Sequence, residues 1–251
     1  MLTQEQIDFF QHYGFLVLPG VLSSEQVDWL RAFLEPKFGL PQSERLLGDL
    51  DKVIFDIYSR YPEIRWLLFN QTAVEALRSL LGDDFVLLRE SSAARDFYAD
   101  GWHKDSGGLD KFGHHFHHRE DYQMIQTAYY LQDNDPYLGG GLDVEPGSHR
   151  LGPDPFVLGQ PYTLDNPVTL PIKAGDFVLF HYRTVHRATP RLLPLAPDAP
   201  RKMAIFCGYS SNSPHVQPYH EYVTARYDYL KGFRYPQDLQ WLAASRGVTL
   251  A

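Results

Sequence analysis

The spacing of hydrophobic positions changes twice along the chain. Up to about residue 82 they recur at helical intervals, from 84 to 210 they fall in short alternating runs, and over about 219–246 the helical interval returns. Thr3, with Gln6 three residues on, predicts a helix start, and Ile7, Phe10 and Tyr13 share a face before Gly14. FLVLP at 15–19 reads as a short strand closed by Pro19 and Gly20. Ser23 or Ser24 caps a second helix carrying Val27, Leu30 and Leu34, which must stop before Pro36. A third helix is predicted over 62–81, where Ile64, Leu67, Leu68, Val74, Leu77, Leu80 and Leu81 recur before Gly82.

Seven strand-like runs follow: 84–88, 95–105, 123–132, 141–146, 168–172, 176–181 and 201–210. They are rich in aromatic and β-branched residues and bounded by Gly, Pro and Asp. Strands of this spacing, with helices only at the front and tail, predict a mainly β fold of the sandwich or barrel kind. No repeat or composition break divides the chain. One domain is expected over 1–251, with helices in 1–82, a β core in 84–210 and a helical tail in 219–246. The main loops are 106–120, 150–167 and 187–200.

Composition narrows the chemistry. With 44% hydrophobic and 22% charged residues among 251, the chain has the balance of a folded domain. Its single Cys excludes an internal disulfide and any thiolate-bound cluster. A net charge of −8 argues against nucleic acid as a partner. The N-terminus has no signal-peptide pattern and no window is apolar enough to span a membrane, so a cytoplasmic location is expected, with a small-molecule partner. The unusual allotment is 11 His.

Three segments bring His, Asp and Arg to positions where they could do chemistry. On a strand, His103 and Asp105 would project from the same face as adjacent metal ligands. A polar strand face gives the same two-residue pattern, so alone it decides little. His186 follows the apolar run 176–181 and would complete a set of two His and one carboxylate, the arrangement that leaves Fe(II) open positions. His181 competes with it on spacing. Arg201, opening the run 201–210, suits bidentate binding of a carboxylate, or is an ordinary strand-end charge.

Together these segments resemble the phytanoyl-CoA dioxygenase family of Fe(II)/2-oxoglutarate-dependent oxygenases. The resemblance runs through the opening Gln6-Ile7-Asp8-Phe9-Phe10, Trp102-His103-Lys104-Asp105, Gly140 to His149 with its Pro-Gly-Ser-His ending, Gly175-Asp176 through His186, and Arg201-Lys202. It implies a double-stranded β-helix (jelly-roll) core, with His103, Asp105 and His186 as iron ligands. It further implies Arg201 as partner of the distal carboxylate of 2-oxoglutarate, and Gln126 as an amide contacting the same cosubstrate. The implied reaction oxidises a C–H bond of a small molecule with O2 and releases succinate and CO2. Halogenating relatives lack the carboxylate that Asp105 supplies, which favours hydroxylation.

The chain departs from the family pattern in two places. Arg-Ala-Thr-Pro follows His186 where Gly or Ser and then Asn are usual, and a Pro-rich insertion at 190–200 lengthens the gap to Arg201, leaving Arg191 as a rival anchor. His149 is expected to support a turn, and Cys207 to fill the core. The run His114-His115-Phe116-His117-His118 falls in a loop fit for a lid, and Trp102, Lys104, His115 and His117 are the expected substrate contacts, with Phe97 and Tyr98 as further pocket candidates. No basic run favours a CoA thioester. The alternative is a non-catalytic binding protein on the same scaffold.

Overall fold

A computed structural model describes residues 1–39, 52–96, 101–106, 109, 113–151, 164–194, 196 and 201–251. The chain opens with α1 (Gln4–Tyr13), and Thr3 and Gln6 exchange the two hydrogen bonds of a capping box. β1 (Phe15–Leu18) leads to α2 (Ser24–Leu34), where Ser23, paired with Gln26, takes the cap. β2 (Val53–Phe55) and α3 (Ile57–Arg60) were too short to show a period. The helix expected over 62–81 is two elements: a 3-10 helix at Pro62–Phe69, then α4 (Gln71–Leu81). Asn70 separates them, because its backbone is extended (ψ 124°) and its side chain accepts from Ala73 N to start α4 anew.

The strands are β3 (Val86–Arg95), β4 (Met124–Tyr130), β5 (Leu142–Val144), β6 (Val168–Thr169), β7 (Phe177–His181), β8 (His186–Ala188) and β9 (Met203–Ser210). The tail folds as α5 (Val216–Arg226), a 3-10 turn, α6 (Gln237–Ser245) and β10 (Thr249–Leu250). Seven strands form one sheet in the order β1-β7-β4-β9-β3-β10, with β2 also on β3, and β6-β5-β8 form a smaller one. Among the described residues all strand pairings are antiparallel except β10 on β3, whose two-residue strand no alternation could announce.

Alternation gives the large sheet two unlike faces. Ile125, Tyr129, Leu179, Ile205 and Cys207 face an apolar core made with Leu30, Leu34, Leu77 and Leu239 of the helices. Each fully buried aliphatic side chain there contributes about 2 kcal/mol. The intervening residues Ala128, Tyr130, Val178, Phe180 and Ala204 face the small sheet and meet Leu142 and Val144. The core is thus a jelly roll of two opposed sheets, with the helices on its outer side. Cys207 is buried and free, as expected of a core residue. No helix among the described residues is long and apolar enough to cross a membrane.

Candidate active site

Between the sheets lies a cavity of about 460 Å³. Its floor is the inner face of the large sheet, with Gln126, Tyr130, Phe180, Ala204, Phe206, Ser92 and Ala94; Leu142, Ala188, Gly140 and Gly141 line it from the small-sheet side. His103, Asp105 and His186 form part of its wall.

The run 95–105 is not the strand expected of it. β3 ends at Arg95, and Asp96 takes a left-handed backbone (φ 47°). Phe97 and Tyr98 lie outside the described residues. His103 instead forms a lone antiparallel bridge with His186, each N–H donating to the other's carbonyl at 2.9 Å, and Asp105 follows in a turn. Backbone pairing, not one continuous strand, brings the two imidazoles together. Their Nε2 atoms lie 3.9 Å (His103) and 3.8 Å (His186) from Asp105 Oδ1, and the three ligand atoms fall within 4.8 Å of one another.

The ring hydrogen bonds fix what these atoms can do. His103 Nδ1 is 2.8 Å from Gly101 O and His186 Nδ1 is 3.0 Å from Thr184 O. A carbonyl only accepts, so each Nδ1 carries the proton and each Nε2 keeps its lone pair toward Asp105. Burial pushes His186 down to about 4, against the pull of Asp105, so it is neutral at physiological pH. His103 and Asp105 are part-exposed, which leaves one side of the trio open to the cavity.

His181 is no rival. Its Nε2 donates to Tyr122 O (3.2 Å) and its Nδ1 accepts from Arg183 N (3.1 Å) in a fully enclosed position. His149 is buried in the 3-10 turn Ser148–Arg150 with Nε2 on Gln11 O, as expected of a turn support.

Arg201 does not reach the cavity. It precedes β9 on the parity of Ile205 and Cys207, which face the helices, and its exposed guanidinium pairs with Asp96 at 3.0 Å. Lys202 has the parity of Ala204 and Phe206 and lines the cavity instead. Asp96 sets this register, since its Oδ1 accepts from Lys202 N (3.0 Å) and its N donates to Lys202 O (2.7 Å). The Lys202 stem lies over Gly140, whose left-handed backbone (φ 97°) and missing Cβ leave room for it. Burial lowers the Lys202 pKa. Arg191 is exposed and is not part of the cavity lining. A strand-parity count back from Phe206 would have separated Arg201 from Lys202 in the sequence.

Gln126 lines the cavity as expected. Its Oε1 lies 3.1 Å from the Tyr182 hydroxyl, which in turn lies 3.3 Å from Glu90 Oε2. Glu90 went unnoticed in the sequence, although a lone acid in the middle of β3 was a signal. Burial raises it to about 6, against the hydrogen bonds of Tyr219 and Tyr182.

The four expected substrate contacts lie away from the cavity lining. Trp102 stacks under the Arg187 guanidinium (4.7 Å), and Lys104 is buried on the parity opposite to His103 and Asp105. The 113–119 segment is not an open lid: Phe116–His118 form a 3-10 turn, with Phe116 against Tyr122 and His215. His117 is buried there, and His115 stacks on His118. Their position follows from the aromatic cluster under α5, to which the loop contributes Phe116.

No curated protein matches the chain. Among solved structures, HygX from Streptomyces hygroscopicus with nickel and 2-oxoglutarate is similar at TM-score 0.64 and 19% identity, over 84% of this chain and 88% of that one. EctD from S. alaskensis with 2-oxoglutarate and 5-hydroxyectoine is similar at 0.63 and 22%, over 84% and 76%. The epimerase SnoN, in complex with Fe3+, alpha ketoglutarate and nogalamycin RO, is similar at 0.59 and 19%, over 83% of each chain. At these identities the likeness speaks for the jelly-roll fold. The family profile for phytanoyl-CoA dioxygenase (PhyH) matches residues 10–192, most of the chain. With that match, the chain belongs to the phytanoyl-CoA dioxygenase family of oxygenases that use Fe(II), 2-oxoglutarate and O2.

Proposed function

We propose that His103 and His186 through Nε2, and Asp105 through a carboxylate oxygen, hold Fe(II), and that the chain hydroxylates a C–H bond of a small molecule. The observation that carries this reading is the hydrogen bonding of the two rings. Both Nδ1 protons go to backbone carbonyls, which leaves two lone pairs and a carboxylate converging within 4.8 Å. Such a donor set fits Fe(II) and leaves positions for other ligands. Bound there, iron with 2-oxoglutarate supplies the oxidation of the substrate by O2, with succinate and CO2 as coproducts.

The protein's own residues do the positioning. Lys202, in place of the expected Arg201, is the proposed partner of the distal carboxylate of 2-oxoglutarate. Its Nζ donates to Asp133 O at 3.2 Å, and its other two N–H groups have no acceptor among the described residues. From His186 the wall runs through Ala188 and Gly141 to Lys202, a small-residue path that leaves room for a chain diacid. Gln126 offers an amide on the opposite wall. Phe180, Leu142 and Tyr130 limit water around the path.

Fe(II) dialysis and succinate formation without added prime substrate test the reading. The wild type should bind one Fe(II) and slowly convert 2-oxoglutarate to succinate, and Asp105→Ala should lose both by about 100-fold or more. Unchanged iron binding and succinate formation in Asp105→Ala would overturn it.

A further inference from the structure

Beside cavity-lining Gln126, joined to it through the Tyr182 hydroxyl, lies a carboxylate that the iron chemistry leaves unused. Glu90 lies in the irregular stretch of β3 between Leu87 and Ser91, where the register with β9 shifts. Alternation does not govern its direction there; its side-chain contacts do. Its Oε2 accepts from the Tyr219 hydroxyl and faces the Tyr182 hydroxyl at 3.3 Å. The Tyr182 hydroxyl also meets Gln126 Oε1 at 3.1 Å and the Tyr219 oxygen at 3.5 Å. Gly208 makes this possible, because a Cβ there would collide with the Tyr182 hydroxyl.

The proton count leaves the carboxylate short of donors. Two hydroxyl protons serve Glu90 Oε2, Gln126 Oε1 and each other, while Glu90 Oε1 has no hydrogen bond among the described residues and is not enclosed. Arg226 lies near enough for its charge to act on Glu90, but neither it nor Lys202 hydrogen-bonds to the carboxylate. Arg226 gives Nη1 to the Tyr222 hydroxyl at 2.6 Å, and Lys202 lies six residues along β9 from Gly208, roughly 20 Å away along the strand. Phe206 and Phe55 sit at the level of Ser92 through the sheet register, and Tyr227 lies beside Phe55. A part-buried carboxylate with a free oxygen beside aromatic rings is the chemistry that recognises an ammonium group.

We propose that Glu90, held by Tyr219 and Tyr182, receives a cationic nitrogen of the substrate, a primary or secondary ammonium, at the end of the cavity away from Lys202. The proposal rests on the reading of this cavity as the substrate chamber. It names the substrate class as an amine with its oxidised carbon placed between Glu90 and the iron ligands.

Calorimetric binding of three probes of similar shape tests it: 2-phenylethylamine, 2-phenylethanol and 3-phenylpropionate. The full chain is titrated without O2, once with Fe(II) and 2-oxoglutarate and once metal-free. The loading step reports on the iron reading by itself, and the probe ratio reports on Glu90 with or without metal. The amine should bind about tenfold more tightly than the alcohol, with the carboxylate weakest. Glu90→Gln should bring amine and alcohol within about twofold, and Tyr219→Phe, which keeps the charge but loosens it, should fall between. Equal binding of amine and alcohol by the wild type, a preference unchanged in Glu90→Gln, tighter binding of the carboxylate, or binding of none of the three would overturn the proposal.

Discussion

His181 and His186 stand five residues apart at the facing ends of consecutive strands that belong to different sheets, and both are buried and neutral, with pKa values pushed down to about 3 and about 4 by desolvation. They differ in their second nitrogen. At His181 the backbone takes both ring nitrogens, through Tyr122 O and Arg183 N. At His186 the backbone takes only Nδ1, and Nε2 faces Asp105. Burial and depressed basicity are therefore shared by a structural histidine and a proposed iron ligand, and the unused lone pair separates them. Exchanging the losses is the strongest way to break this contrast. His186→Ala should keep its fold but lose iron binding and succinate formation by about 100-fold or more, as loss of a direct ligand requires. His181→Ala should lower stability by about 2–4 kcal/mol in denaturant titration, because it strands a carbonyl and an N–H, while the folded protein still binds one Fe(II). Iron loss in His181→Ala with iron retained in His186→Ala would reverse the assignment.

Arg201 and Lys202 sharpen the same lesson on a smaller scale, since adjacent residues of one strand end meet opposite environments. Steady-state kinetics on 2-oxoglutarate separates them. Lys202→Ala should raise KM about tenfold, and Arg201→Ala, which removes only an exposed pair with Asp96, should change it less than about twofold. The opposite pattern would restore Arg201 as the anchor.

Much of this was legible in the sequence, for identifiable reasons. The caps at Thr3 and Ser23 and the alternation in β4, β7 and β9 are local features with a fixed period, and they appear where expected. The mainly β class follows from them. The break at Asn70 was hidden because apolar residues recur through both helices, while the interruption depends on one backbone angle. His103 and Asp105 were singled out as a pair on one strand, but they meet His186 through a bridge made across the fold, which no spacing encodes. Arg201 lies off the cavity lining because it pairs with Asp96, a residue 105 positions away in sequence, which no local pattern announces. Glu90 and its two tyrosines come from β3, α5 and the turn after β7, so only the folded chain assembles them.

The most gradual effect concerns acid, and it again turns on His181. In the unfolded chain a histidine takes a proton near pH 6.5, but the buried ring resists it until about 3. Between those values the unfolded state binds more protons, so stability falls as pH falls and levels off below the lower value. Above pH 6.5 the ring is neutral in both states and contributes no slope. One such group gives at most about 1.4 kcal/mol per pH unit. His149, whose ring centroid lies 5.5 Å away and which burial lowers to about 4, adds a slope over the upper part of the same window. Urea titrations at intervals from pH 7 to pH 4 should therefore show a steady loss in the wild type. The loss should be shallower in His181→Asn by no more than one group's share, after its lower starting stability is subtracted. Equal slopes in the two proteins would mean that His181 takes up its proton without leaving its place between Tyr122 and Arg183, and the contrast with His186 would then rest on the ligand geometry alone.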